Sequence, residues 1–265
     1  MDSQRVTLQV ADGIADVRLN RPDKLNALDP AMFEAIAAVI ADLRTRRDVR
    51  VAVLSGEGRG FCAGLDMASM AGGAPVTGLG ERTHGIANLF QQVAWGWRSL
   101  PVPVIAAGHG VVFGGGLQIF SGADIRIAAP DTRFSIMEMK WGIVPDMAGY
   151  ALWRGLVRDD HLRALIYTAR EFDGTEAEKL GFVTRLAADP LAEAMALATQ
   201  IAGRNPDAVR AAKRLANRMP EEPASALLQS ESDEQAKLMY SPNQMEAVRA
   251  NMERRAPAFA DPADD

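Results

Sequence analysis

The sequence predicts an α/β fold, and three observations carry that reading. Short apolar runs suited to buried strands alternate with stretches of helical period, the chain opens on two strand-like segments around a tight turn, and the text from about Asp189 onward is helical almost throughout. With 265 residues, 48% of them apolar and 24% charged, the chain can bury one large core, or a core with an appendage.

Taken in order, Val6-Thr-Leu-Gln-Val10 and Ile14-Ala-Asp-Val-Arg-Leu19 read as strands, and Ala11-Asp12-Gly13 between them has hairpin-turn chemistry. Asp29-Pro30 supplies an N-cap and a preset first helical residue, with Leu28 and Phe33 at the staple positions. A helix over 30–46 follows, its stripe formed by Phe33, Ile36, Ala37, Ile40 and Leu43. Val51-Ala-Val-Leu54 suits a buried strand and ends in the Gly-rich turn at 55–60. The unit then repeats as a strand at 104–107, Gly114-Gly115-Gly116 opening a short helix, and a strand at 124–128. Residues 71–80, rich in Gly, Ala and Pro, have the profile of a mobile surface loop. Ser241-Pro242-x-Gln244 reads as a capping box for a helix running toward Arg255.

Composition narrows the function. A net charge of −5 and no run of five like charges lack the basic footprint of a nucleic-acid binder. The single cysteine, Cys62, excludes an intrachain disulfide framework and suits a reducing compartment. The first ten residues do not read as a signal peptide, and the longest apolar segment, 102–113, is broken by Pro103, Gly108 and His109 and is too short to span a bilayer. A soluble, cytoplasmic protein is expected. No His/Cys/Asp cluster has metal-ligand spacing, so no metal is expected either.

Gly58-Arg-Gly60-Phe-Cys-Ala63 matches a dinucleotide fingerprint and follows a strand, but a Gly-rich loop stands where the cofactor helix is needed. The overlapping segment Phe61-Cys-Ala-Gly-Leu-Asp66 reads instead as a tight turn whose small side chains leave backbone N–H groups open. Phe113-Gly-Gly-Gly-Leu117 does the same at a helix start, where unpaired amides and the positive dipole end converge. Two such amides aimed at one point make an oxyanion hole; two close-packed turns are the alternative.

Taken together these segments resemble the crotonase superfamily, the enoyl-CoA hydratases and isomerases, over nearly the whole chain. Leu19-Asn-Arg-Pro-Asp-Lys-Leu-Asn-Ala-Leu28 is similar to the family's opening loop, and 55–66 to its first oxyanion segment. Ala106-Ala-Gly-His-Gly-Val-Val-Phe-Gly-Gly-Gly116 is similar to the second, and Ala177-Glu-Lys-Leu-Gly-Phe-Val183 to a later helix and strand. The resemblance implies a crotonase-like spiral of ββα units over 1–190. A C-terminal helical region over 191–265 would serve oligomerisation and lid, in homotrimers or dimers of trimers. It also implies that the Ala63 and Gly115 amides bind a thioester oxygen. Lys24, Leu25, Ala27, Gly64, Leu65 and Asp66 would line the path of the CoA, which is part of the substrate, so no separate cofactor is implied. Lys24 or Arg59 can meet its phosphates, or simply be solvated.

The family's hydratases use two glutamates. Here the first place is Gln118 and the second Glu138, and Gln can position water but cannot take its proton. Eight residues beyond Glu138 stands Asp146, a spacing that resembles the dienoyl-CoA isomerase branch. Double-bond isomerisation is therefore favoured over hydration, with Glu138, Asp146 and Gln118 as the polar set. Ile136, Met137, Met139 and Trp141 are expected to desolvate Glu138 and raise its pKa. Asp146 reads equally as an N-cap for the segment after it, and Gln118 as a polar helix residue. His109 reads as a turn residue and Cys62 as a small buried one.

Overall fold

The computed structural model describes residues 4–68 and 78–263, so most of the loop expected at 71–80 lies outside the described residues. Eight strands are described: β1 Val6–Ala11, β2 Ile14–Leu19, β3 Val51–Gly56, β4 Val104–Gly108, β5 Val111–Phe113, β6 Ile125–Ala128, β7 Arg133–Ser135 and β8 Arg185–Leu186. The α-helices are α1 Pro30–Thr45, α2 Leu89–Arg98, α3 Gly115–Ser121, α4 Gly149–Trp153, α5 Asp159–Thr168, α6 Gly174–Leu180, α7 Pro190–Ala202, α8 Pro206–Arg218, α9 Ala224–Leu238 and α10 Pro242–Glu253.

The expected hairpin forms, with Val6 opposite Leu19 and Ala11 opposite Ile14. Its turn residues Asp12 and Gly13 both take positive φ, 52° and 77°, which matches the twist of the flanking strands. β3, β4, β6 and β8 then join β2 in parallel, giving one sheet in the order β1-β2-β3-β4-β6-β8. β4 is buried throughout and β3 nearly so, which is why they read as continuous apolar runs.

A second, narrow strip runs beside this sheet. β5 pairs with β7, and single parallel bridges join Cys62 to Val112 and Leu28 to Leu65, while Phe134 bridges Phe172. Each turn of the chain thus lays one strand in the wide sheet and one short piece in the strip before its helix, as β4, β5 and α3 do. This is the ββα spiral that the resemblance implies. Aromatic rings link the turns: Phe61–Phe120, Phe120–Phe134, Phe134–Phe172 and Phe172–Phe182 stand 5.4, 5.8, 5.7 and 5.4 Å apart between centroids.

The helix caps follow local chemistry. Asp29 caps α1 by accepting from the Met32 N–H, and Leu28 and Phe33 are buried at its start. α2 opens on a reciprocal box between Asn88 and Gln91 that the sequence reading missed. At α10, Ser241 accepts from the Gln244 N–H, but the Gln244 side chain accepts from the Tyr240 N–H, so the expected box closes one residue early.

The sheet's other face is covered by α7, whose Ala194, Ala198 and Ala202 pack on Val51, Val53, Ile105 and Ile127. The first helix of the region expected as an appendage is therefore a layer of the core, because its small side chains let it approach the sheet closely. α8 is tied in by Lys213, whose buried ammonium donates to the Trp97 and Val102 carbonyls at 3.2 and 2.8 Å and to Asp124 at 2.7 Å. Asp124 in turn accepts from the Val104 N–H at the start of β4. Removing the ammonium strands that carboxylate, so Lys213→Ala should lower unfolding free energy by about 3 kcal/mol in a urea titration.

Candidate active site

Three pieces of chain end side by side in the strip. Cys62 donates its N–H to Val111 O at 3.1 Å and accepts from Phe113 N at 2.9 Å, and Gly114 donates to Ser135 O at 2.9 Å. Residues 62–65, 113–115 and 135–138 therefore leave the strip together, at the floor of a cavity of about 580 Å³. Its polar lining comes from those backbones with Gln118, Glu138 and Asp146, and its walls from Phe33, Phe90, Trp141, Ile143 and Val144. The cavity is thus apolar with a few convergent polar groups, the usual make-up of a small-molecule site.

The amides are distributed differently from the sequence expectation. The Ala63 N–H is already used, donating to Leu25 O at 2.9 Å. Two residues on, the bridge between Leu28 and Leu65 runs through Gly64 O and Asp66 N, so the N–H of Leu65 itself points to the opposite side, toward β5. It has no acceptor among the described residues, and neither has the Gly115 N–H, at the first position of α3. Gly64, at φ 85°, makes the turn; a Cβ there would lie 2.7 Å from Phe113 O and 3.5 Å from Gly115 N. The open pair is Leu65 and Gly115. Ala63 is corrected because its hydrogen bond to a loop 38 residues earlier cannot be seen in a local motif.

Glu138 opens a 3₁₀ turn, Glu138–Trp141, that follows β7 after Ile136 and Met137, and is 8% exposed. Its Oε1 accepts from Gln118 Nε2 at 2.6 Å, and Oε2 is buried with no partner. Gln118 itself is buried, and its Oε1 accepts from both the Met147 and Gly149 N–H groups at 2.9 Å. Two donors on that atom fix it as the carbonyl oxygen and leave the NH₂ to Glu138. Burial pushes the Glu138 carboxyl above its ordinary range, the neighbouring Asp146 charge adds to this, and the Gln118 hydrogen bond opposes it. Asp146 is exposed to the open cavity, yet partial desolvation pushes its carboxyl up as well. It caps nothing: α4 begins three residues later, behind Ala148 at φ 71° with no side-chain cap. Met137 and Trp141 line the cavity beside Glu138, Ile136 is buried, and Met139 turns outward at 37% exposure.

Of the residues expected along the CoA path, Gly64 and Leu65 line the cavity; Lys24, Leu25, Ala27 and Asp66 do not. Asp66 pairs with Arg21 at 2.8 Å, and Arg21 also donates to Ala27 O. Lys24 is exposed at the end of the 3₁₀ turn Pro22–Lys24. The sequence reading missed Asn26, which is fully buried, accepts from Arg21 N and donates to Glu57 O and Gly60 O. It holds Leu25 and itself at positive φ, 49° and 56°. A polar Asn between Leu25 and Ala27 in an otherwise apolar stretch was the available signal. His109 bonds Gly58 O at 3.0 Å in a turn, and Cys62 is buried with its thiol pushed up to about 12, donating to Asn26 O. Among the described residues no group of acids, His and Cys can hold a metal ion, and no helix is long and apolar enough to cross a membrane.

Open backbone amides and a desolvated carboxyl lining one apolar cavity at the strand ends have the make-up of a small-molecule site. The family description Enoyl-CoA hydratase/isomerase matches residues 9–262, and the chain belongs to that family. It is 31% identical to the Delta(3,5)-Delta(2,4)-dienoyl-CoA isomerase, peroxisomal, of Arabidopsis thaliana over 91% of each chain. It is 31% identical to the short-chain-enoyl-CoA hydratase of Clostridium acetobutylicum over 96% of this chain and 97% of that one. Among solved structures, an enoyl-CoA hydratase from Bacillus anthracis superposes with a TM-score of 0.87 at 27% identity, covering 97% of this chain and 99% of that one.

A carboxyl whose folded-state pKa is raised carries its penalty only when ionised, so the penalty is absent well below 4.5 and grows as pH rises through the raised value. Glu138→Gln keeps the acceptor for Gln118 without the charge. It should stabilise the fold at pH 8, because the desolvated charge is gone, and the gain should vanish near pH 4 in thermal melts.

Proposed function

We propose that the chain isomerises the double bond of an enoyl- or dienoyl-CoA thioester through an enolate. The thioester oxygen lies between the Leu65 and Gly115 N–H groups, which take up the negative charge as the enolate forms. Glu138, as carboxylate, removes a proton from the carbon next to the thioester. The proton returns at the far end of the conjugated system from Asp146 or from Glu138 itself, so that the net change is a shifted double bond. CoA enters and leaves with the substrate, and no separate cofactor is required. A homotrimer or dimer of trimers in the cytoplasm is part of the same proposal, on the family resemblance.

The observation that carries the isomerase reading is the state of Gln118. Its carbonyl oxygen is saturated by Met147 and Gly149 and its amide is a donor to Glu138, so the position cannot accept a proton from water. The Glu138 and Asp146 pair supplies two acids for moving a proton between carbons. A hydratase reading is favoured by relatives such as that of Clostridium acetobutylicum, and would require the same two acids to hold one water.

Incubation with crotonyl-CoA, a 3-enoyl-CoA and a 3,5-dienoyl-CoA separates the readings by absorbance. Isomerisation of either shifted substrate with little hydration of crotonyl-CoA is expected; rapid water addition to crotonyl-CoA alone would reverse the assignment. Binding without any turnover would point to a CoA-ester scaffold. Glu138→Gln should lower kcat about 10²- to 10⁴-fold while the thioester Kd, measured by calorimetry, is retained. Because the base must be ionised, kcat/KM should fall as pH drops through the raised Glu138 pKa, with its acid limb above the ordinary carboxylate range.

A further inference from the structure

We infer that Gln118 is a positioning residue that sets both acids at once, holding Glu138 by its amide nitrogen and the turn behind Asp146 by its amide oxygen. At one end, Nε2 donates to Glu138 Oε1 at 2.6 Å, which fixes the plane of a carboxyl whose other oxygen has no partner. At the other, Oε1 takes the N–H of Met147 and of Gly149, the two residues that flank Ala148. Ala148 is in the left-handed region at φ 71°, ψ 6°, which costs a residue with a Cβ about 1–2 kcal/mol. The clamp therefore sits across a strained peptide that would otherwise relax. Gly149 has no room for a side chain, since a Cβ there would come within 2.8 Å of Gln118 Oε1 and 2.6 Å of the Trp153 ring.

Asp146 is bonded through the backbone to the first clamped residue, so relaxation of this turn moves it relative to Glu138. Glu138 and Asp146 are the only ionisable residues lining the cavity among those described. One buried side chain from α3 thus relates an acid after β7 to an acid before α4, elements with no other side-chain hydrogen bond between them among the described residues. An amide does both without carrying charge: an ionised carboxylate at 118 can accept from the turn but cannot donate to Glu138, and a hydrocarbon can do neither.

This deepens the enolate reading, and depends on it only for the kinetic arm of the test. The Glu138 carboxyl is followed by carbon NMR in protein labelled at glutamate, its signal assigned by loss in Glu138→Gln, and amide exchange is followed at Met147 and Gly149. In Gln118→Leu the Glu138 titration should move to higher pH as its donor is lost, and both amides should exchange faster. In Gln118→Glu the amides should stay protected while the titration moves up again, now from like-charge repulsion. That variant decides the matter if the leucine protein does not fold. On a substrate that turns over, Gln118→Leu should lose about 100-fold in kcat with KM little changed. An unmoved Glu138 titration in both variants, or protected Met147 and Gly149 amides in Gln118→Leu, would overturn the inference. Absence of turnover on every thioester would sink the enolate reading alone, since titration and exchange need no substrate.

Discussion

Cys62 sits between two turns of the spiral, bonded by its own N–H and C=O to Val111 and Phe113, and the backbone of Gly116 lies directly against it. A Cβ at Gly116 would fall 2.5 Å from Cys62 O, and one at Gly64 would fall 2.7 Å from Phe113 O, both closer than any real contact. This approach of backbone to backbone is what brings the Leu65 and Gly115 amides into the same cavity floor. Any side chain at those two glycines would push the turns apart, and the strand ends would no longer share one point. The narrow strip thus organises the site, while the wide sheet and its covering helices supply the buried area that keeps the strip in place.

The polar groups of the site run against the preferences of the rest of the fold. Glu138 is buried with an unpartnered oxygen, Ala148 is left-handed, and Leu25 and Asn26 are left-handed in succession. Each costs stability, and each is held by bonds from elsewhere in the chain: Gln118 for the first two, the Asn26 side chain and Arg21 for the third. Strain of this kind persists only where surrounding structure over-determines it. Here the surrounding structure is the pair of turns on either side of the strip.

The Leu19 to Leu28 segment shows how far the sequence could be read. Its place in the chain is legible and the resemblance puts Lys24, Leu25 and Ala27 along the CoA path, but that Arg21 and Asn26 beside them are struts tying this loop to Asp66, Glu57 and Gly60 is not. A loop's outward and inward groups cannot be told apart without knowing what packs beneath it. Asp146 reads in the sequence as acid or helix cap alike for a similar reason, and the start of α4 at Gly149 places it on the cavity wall.

The hairpin, the buried parallel strands, α1 with its Asp29 cap and the glycine-rich turns were determined by the sequence alone, because each depends on neighbours within a few residues. Family membership was legible on the same basis, as several such local signals in one order. Tertiary structure alone decided which amide is open, Leu65 rather than Ala63, because that turns on a hydrogen bond to Leu25 across 38 residues. It also decided that Gln118, which reads as a gap in a pair of acids, has both ends of its amide occupied, by Glu138 and by the Met147 and Gly149 N–H groups. Hydrogen-bond satisfaction inside a core depends on every chain segment that arrives there, and no local pattern records it.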